Sequence, residues 1–335
     1  MVIIGRSQPQ RIGSRRLAGV LLLISVSCPA EAATASICVI DMGSNSFRRI
    51  VGSFDQGRYR QVHLEQRTLG VGDDLATHGT ISDPKLVEID KTLTEFKASC
   101  AKEGIGRVVA VGTAAFREAP NRSTVVQMAA RLGIPAEIAT EKRESELAYL
   151  VGSLGRDGYA VIDNGSRSIE LVAKDAGPPR YRVFNLGYRI AYERFFAAAK
   201  DSSAAILALQ NRLRVEAARA PFMKGKTKLV GIEFGEMADV LFEPAPLEGR
   251  IFTLQALQRR LRNITASTPQ EFLALKQKKD IERALPRLVS AVALIEAFGY
   301  SQIELTEREL GVGLIIEADL KEAVTQQTSP TSRGR

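Results

Sequence analysis

At 335 residues, with 45% hydrophobic and 25% charged side chains, the chain has the composition of a soluble globular protein long enough for two cores. It has no Trp and only 6% aromatics, which argues against sugar-stacking surfaces and single-strand nucleic-acid platforms, both of which need exposed rings. The net charge is +8 and its basic residues are scattered rather than blocked, which reads either as a solvated surface or as a mild attraction for polyanions, and no nucleic-acid motif can be read.

Residues 1–32 read as a cleaved export signal. Arg11, Arg15 and Arg16 precede an apolar run over 17–27, and Ala30-Glu31-Ala32 supplies a small-x-small cleavage site. The run falls short of the about 20 residues of a membrane span, so none is expected after cleavage. Cys28 would suit a lipid anchor, but Ser25 stands where an attachment box has Leu. The mature chain, expected to be periplasmic or secreted, keeps Cys38 and Cys100, which either pair in an oxidising compartment or stay as buried thiols.

Ala35–Asp41 reads as a buried strand running into a Gly/Ser/Asn turn, followed by strands over Phe47–Phe54 and Tyr59–Arg67. Asp83-Pro84 opens a helix with Leu86, Ile89, Leu93 and Phe96 at helical spacing. Then come a strand over Arg107–Thr113, a helix over Asn121–Leu132, a short strand over Ala136–Thr140 and a helix over Glu141–Leu154. Gly155–Gly158 is a turn, after which the pattern restarts with strands at Tyr159–Asp163 and Ile169–Ala173. Residues 189–220 and 254–298 are mainly helical around a strand at Lys228–Ile232, and Ile303–Thr306 is a last strand before a helix near 312–324. The expected division is a first domain over 35–155, a second over 156–324 and a disordered polar tail over 325–335.

The two halves echo each other. Val39-Ile-Asp41-Met-Gly43-Ser44 and Val161-Ile-Asp163-Asn-Gly165-Ser166 are the same strand–Asp–x–Gly–Ser unit. Each is followed by a strand, so neither is a phosphate loop that opens a helix. A Gly/Ser hairpin tip exposes successive backbone amides, which can cradle phosphate. Two such tips across a cleft would hold a phosphate chain from both sides.

Asp41-Met-Gly-Ser-Asn-Ser-Phe-Arg48, Leu69-Gly-Val-Gly-Asp-Asp-Leu75 and Ala110–Asn121 resemble, in order and spacing, blocks of the exopolyphosphatase/guanosine pentaphosphate phosphatase (Ppx/GppA) family. Glu144–Leu150 and Asp163-x-Gly-x-x-Ser-x-Glu170 continue the likeness, which covers nearly the whole mature chain. The resemblance implies an α/β fold of two actin-like (ribonuclease H-like) domains facing an interdomain cleft, and metal-dependent hydrolysis of terminal phosphoanhydride bonds. It assigns phosphate binding to Gly43, Ser44, Asn45, Ser46, Arg48 and Arg117, with Gly165 and Ser168 on the second loop. Glu144 aligns with the Glu that orients or deprotonates water. Asp163 and Glu170, with Asp41, align with carboxylates that hold Mg2+ or another divalent cation. The expected partner is a polyanionic phosphate substrate. Export favours inorganic polyphosphate over a cytoplasmic alarmone, and a homodimer is left open.

The second loop departs from the family's Asp-x-Gly-Gly-Gly-Ser-Thr-Glu. Ser166 and Arg167 replace two glycines, at a cost of about 1 kcal/mol wherever the lost glycine held a positive φ. Arg167 can compensate by offering its guanidinium to phosphate. Glu233 and Glu236 stand where phosphate-facing amides are expected, and Gly311-Val312-Gly313 lacks the Glu that members often carry between Arg and Gly. Two readings follow: a hydrolase with altered preference, or a catalytically impaired phosphate-chain binder on the same fold. In the helix after Thr140, Glu144 shares a face with Ala148, whereas Glu146 points elsewhere, to solvent.

Overall fold

The computed structural model describes residues 36–242 and 250–328, so the proposed export signal lies outside the described residues. In chain order the first half holds β1 (Ile37–Met42), β2 (Ser46–Asp55), β3 (Arg58–Thr68), α1 (Val71–His78), α2 (Asp83–Lys102), β4 (Val108–Gly112), α3 (Ala114–Glu118), α4 (Arg122–Arg131), β5 (Ala136–Ile138) and α5 (Glu141–Ser153). The second half holds β6 (Tyr159–Asn164), β7 (Ile169–Ala173), β8 (Arg180–Phe184), α6 (Tyr188–Ala191), α7 (Ser202–Ala218), β9 (Lys228–Ile232), α8 (Gly235–Leu241), β10 (Arg250–Thr253), α9 (Leu254–Thr265), α10 (Pro269–Lys276), α11 (Ile281–Phe298), β11 (Gln302–Thr306) and α12 (Val312–Thr328).

The strands form two mixed sheets, ordered β3-β2-β1-β4-β5 and β10-β11-β9-β6-β7-β8. In each, a leading strand pairs antiparallel with the next in sequence and parallel with a later one: β1 with β2 and β4, β6 with β7 and β9. This repeated order is the expected α/β pair of like units. β1 is buried on both faces, as a continuous apolar run in a central strand must be, while β3 is an edge strand whose Arg, Gln and Glu side chains stay largely in water.

Helices cover both sheets and separate them. Apolar side chains of α2 and α4 pack on one face of the first sheet, and those of α7, α8, α9 and α11 on one face of the second. Between the sheets lies a shared core in which Leu147 and Val151 of α5 and Ile315 and Ile316 of α12 meet Val39 and Ile50 on one side and Val161, Val172 and Ile232 on the other. The last helix therefore returns to the first sheet, where a sequential division would have left it with the second domain. It also runs to Thr328, past the expected start of the tail at 325, because no breaker occurs before Pro330. Among the described residues, no helix is long and apolar enough to cross a membrane.

Several short elements escaped the sequence pattern. α1 and α3 are short and lie in segments rich in Gly or Ala, β8 is a largely exposed edge strand, and β10 has only four residues.

Cys38 of β1 and Cys100 of α2 are bridged, with Cα atoms 6.4 Å apart and a sequence separation of 62. The bridge ties the central strand to its covering helix. In the chain-entropy account, closing a loop of this size contributes about 4 kcal/mol. The denaturant midpoint of oxidised protein should therefore exceed that of protein unfolded and refolded under reductant, and coincident midpoints would show that the bridge adds nothing.

Candidate functional site

The carboxyl ends of β1 and β6, and the segments that follow β4, β9 and β11, open onto one cleft, the usual place for a ligand in open α/β sheets. The cavity measures about 110 Å3. Asp41, Gly43, Ser44, Asn45, Ser46 and Arg48 line it from the first unit, and Asp163, Gly165, Arg167, Ser168 and Glu170 from the second, with Glu144 between them. The two hairpins thus confront each other, as the repeated motif required.

The first hairpin is fixed by its own backbone. Gly43 N–H donates to the Ser46 carbonyl at 3.0 Å, and a Cβ at Gly43 would lie 2.8 Å from that oxygen, so only Gly fits. The Leu69-Gly-Val-Gly72 segment explains itself here. Leu69 and Gly70 N–H both donate to the Asn45 carbonyl at 2.9 Å, and Gly72 N–H donates to the Ser44 carbonyl at 2.7 Å. Ser44 Oγ in turn accepts from Ala115 N–H at 3.1 Å.

The second hairpin is held from a direction that the sequence pattern did not reveal. Gly187, Tyr188 and Arg189 N–H donate to the carbonyls of Arg167, Gly165 and Ser166. A Cβ on Gly187 would come within 2.6 Å of Arg167 N, so this Gly serves a close backbone approach. Neither Ser166 nor Arg167 adopts a positive φ, which corrects the expected backbone cost of the two lost glycines. Arg167 lines the cavity, yet its Nη2 donates to Glu118 Oε2 across the cleft at 2.6 Å.

Glu144 sits in the first turn of α5, whose cap is Thr140 Oγ1 accepting from Arg143 N–H at 3.2 Å. Glu144 as a residue is 6% exposed. Arg117 Nη1 donates to Glu144 Oε2 at 2.6 Å and to the Ala139 carbonyl at 3.0 Å. Arg117 therefore stands beside Glu144 and is not among the cavity-lining residues. Glu146 is half-buried beside Lys142 and faces away from the cavity.

Six carboxylates line the cleft among the described residues: Asp41, Glu144, Asp163, Glu170, Glu233 and Glu236. Burial pushes Asp41 up to about 6, although Arg48 and the Gly311 N–H, which donates to Asp41 Oδ2 at 3.2 Å, oppose the shift. Burial also raises Glu144 against the pull of Arg117. Asp163 and Glu170 are raised well above the usual carboxylate range by burial and by the neighbouring negative charges, Glu144 among them. Ser168 Oγ donates to Glu170 Oε1 at 2.6 Å, a hydroxyl turned to a carboxylate instead of outward. Asp163 Oδ1 and both polar atoms of the Asn164 amide are buried without a partner among the described residues.

An unpaired buried acceptor amid like charges fits a cation or an ordered water. Yet among the described residues no three Asp, Glu, His or Cys side chains converge as a ready-made metal cage, so Asp41, Asp163 and Glu170 do not form the expected three-carboxylate set. The arrangement suits a hydrated hard cation such as Mg2+, which needs only one or two carboxylates and keeps several waters.

Beyond these lies an arginine–carboxylate network that the sequence only hinted at. Arg48 Nη1 pairs with Glu233 at 3.0 Å and with Glu309 at 3.1 Å, so its guanidinium is already met by carboxylates. Correcting the expectation of a missing Glu before Gly311, Glu309 follows Arg308 and reaches the cleft. Arg287, fully buried in α11, bonds Glu233 at 3.0 Å and Glu236, and lies 4.2 Å over the Tyr188 ring. Burial alone would raise Glu233, but Arg48 and Arg287 outweigh it and hold the carboxyl low. Arg287, one turn after Arg283 and directly before the run Leu288–Ile295 that is apolar apart from Ser290, is the signal that could have revealed this pair.

A family-level sequence comparison matches the Ppx/GppA phosphatase family over residues 49–316. No curated protein matches the chain. Among solved structures, the Aquifex aeolicus Ppx/GppA family member is similar with a TM-score of 0.73 and 21% identity, covering 86% of this chain and 98% of that one. An exopolyphosphatase from Cytophaga hutchinsonii is similar with a TM-score of 0.67 and 21% identity, covering 84% and 98%.

A carboxyl whose folded pKa is raised stabilises the fold in its protonated form. That contribution is complete below the unfolded value of 3.8 for Asp41 and is lost as pH rises through about 6. Metal-free protein in chelator should thus melt higher near pH 5 than at about pH 7.5, and Asp41→Asn should flatten the difference. A wild-type melting temperature that climbs from the lower pH to the higher would contradict this charge arrangement.

Proposed function

Because this chain belongs to the Ppx/GppA phosphatase family, we propose that it hydrolyses the terminal phosphoanhydride bond of a phosphate chain, with inorganic polyphosphate as substrate and Glu144 as the base. The observation that carries this reading is the placement of a buried carboxylate, its pKa raised, between two hairpins that open onto one small cavity. Burial raises this carboxyl against the pull of Arg117, which makes the carboxylate a stronger proton acceptor, as a general base must be.

In this mechanism the tips at Gly43–Ser46 and Gly165–Ser168 hold the terminal phosphoryl group from opposite sides. Arg117 fixes the Glu144 carboxylate by hydrogen bonding, so that the free edge of the carboxylate faces the cavity. Water lies between Glu144 and phosphorus. Its oxygen forms the new P–O bond as Glu144 takes its proton. The bond from phosphorus to the bridging oxygen breaks, and the shortened chain leaves with that oxygen as orthophosphate is formed. Mg2+ or another divalent cation, held by Asp163 and Glu170, would supply positive charge on the phosphoryl oxygens.

The arginine–carboxylate network favours a second reading, a phosphate-chain binder with impaired turnover, since Arg48 and Arg287 are already met by Glu233, Glu236 and Glu309. We assign the mature protein to an oxidising, exported compartment, a reading to which the Cys38–Cys100 bridge lends support.

Phosphate release from long-chain polyphosphate with Mg2+, measured on protein lacking residues 1–32, should fall about 10²- to 10⁴-fold in Glu144→Gln. Equal release from both forms removes Glu144 as base. Polyphosphate-dependent thermal stabilisation of wild type with no release at all selects the binder.

A further inference from the structure

Glu233 is where the cleft departs most from an open anion site. It follows β9 with φ at +64°, in the left-handed region that disfavours a long side chain. From that backbone its carboxylate reaches Arg48 of the first unit and Arg287 of the second, each at 3.0 Å. Two guanidinium groups converging on one pair of oxygens is the geometry in which Arg recognises phosphate. Here the anion is part of the chain.

We propose that Glu233 is a specificity-determining residue whose carboxylate takes the anion position between Arg48 and Arg287, and so restricts the cleft to the terminal phosphoryl group of its substrate. This rests on the reading of the cleft as a phosphate-chain site. A penultimate phosphoryl group directed at Arg48 and Arg287 meets a carboxylate first, and like charges repel. The carboxylate also competes at the high effective concentration of a tethered ligand.

Neutralising the two arginines does not require Glu233. Arg48 retains Glu309 at 3.1 Å and Arg287 retains Glu236, so removing Glu233 leaves each guanidinium with one carboxylate and with donors for a ligand. A residue kept in an unfavourable backbone conformation, and redundant for charge balance, is explained by what it excludes.

The test is calorimetric binding of tripolyphosphate and of orthophosphate, at low salt and without divalent cations, to wild type, Glu233→Gly, Glu233→Gln and the exposed-charge control Glu282→Gln. Tripolyphosphate should bind both Glu233 variants about tenfold tighter than wild type, the scale of one regained charge-assisted contact, with orthophosphate little changed. Unchanged tripolyphosphate affinity in folded variants overturns the proposal. So does an equal gain for orthophosphate, an equal gain in Glu282→Gln, or a gain in the Gly variant alone, which would assign the effect to backbone and not charge. Glu233→Gln preserves the shape of the side chain and serves as the test where the Gly variant fails to fold. Tighter binding without phosphate release by wild type would keep this inference and remove the hydrolase. Release with unchanged binding would do the reverse.

Discussion

Burying several carboxylates at the shared mouth of two sheets is the constraint on which the rest of this molecule depends. Taking ionised groups out of water is costly unless each is paired or bonded. The protein answers in two ways. Glu233 is matched by arginines from both units, and Glu144 by Arg117, whereas Asp163 and Glu170 remain largely uncompensated and are held toward their neutral forms. The first group makes the cleft coherent; the second leaves it with an unmet demand for positive charge. Strain concentrated at one place, in a fold otherwise consistent from propensity to packing, is the ordinary mark of a functional site.

The same constraint binds the two units together. Arg48–Glu233, Arg167–Glu118 and Arg189–Asp73 all cross between them. Most of these pairs are partly exposed, where each contributes little alone. The apolar core of α5 and α12 between the sheets carries the larger share of the association, and the ion pairs set how the two hairpins face each other.

What could be read from sequence was what is local. Asp41 through Ser46, and Asp163 through Gly165, announced themselves because a strand–Asp–x–Gly–Ser unit occurs twice, and Glu144 because its segment resembles a block of the family. The family followed from those same blocks. What could not be read depends on residues brought together from distant segments. Arg287, Glu309 and Gly187 reach the cleft from α11, the segment after β11 and the start of α6, and nothing in their own neighbourhoods names their partners. The second loop was misjudged for the opposite reason. Lost glycines raised the question of a strained backbone at Ser166 and Arg167, while among the described residues the left-handed non-glycine residue in the cleft is Glu233.

The hydrogen bond from Gly311 N–H to Asp41 joins residues 270 positions apart. The first strand of the first sheet therefore waits for almost the last segment of the chain before its terminal carboxylate acquires a donor. Contacts of such separation are closed late and slowly, after the local helices and hairpins have formed. Without Gly311 and helix α12 both hairpins would remain, but Asp41 would lose this donor and its cover, so the geometry of the cleft depends on a contact that no local segment can supply.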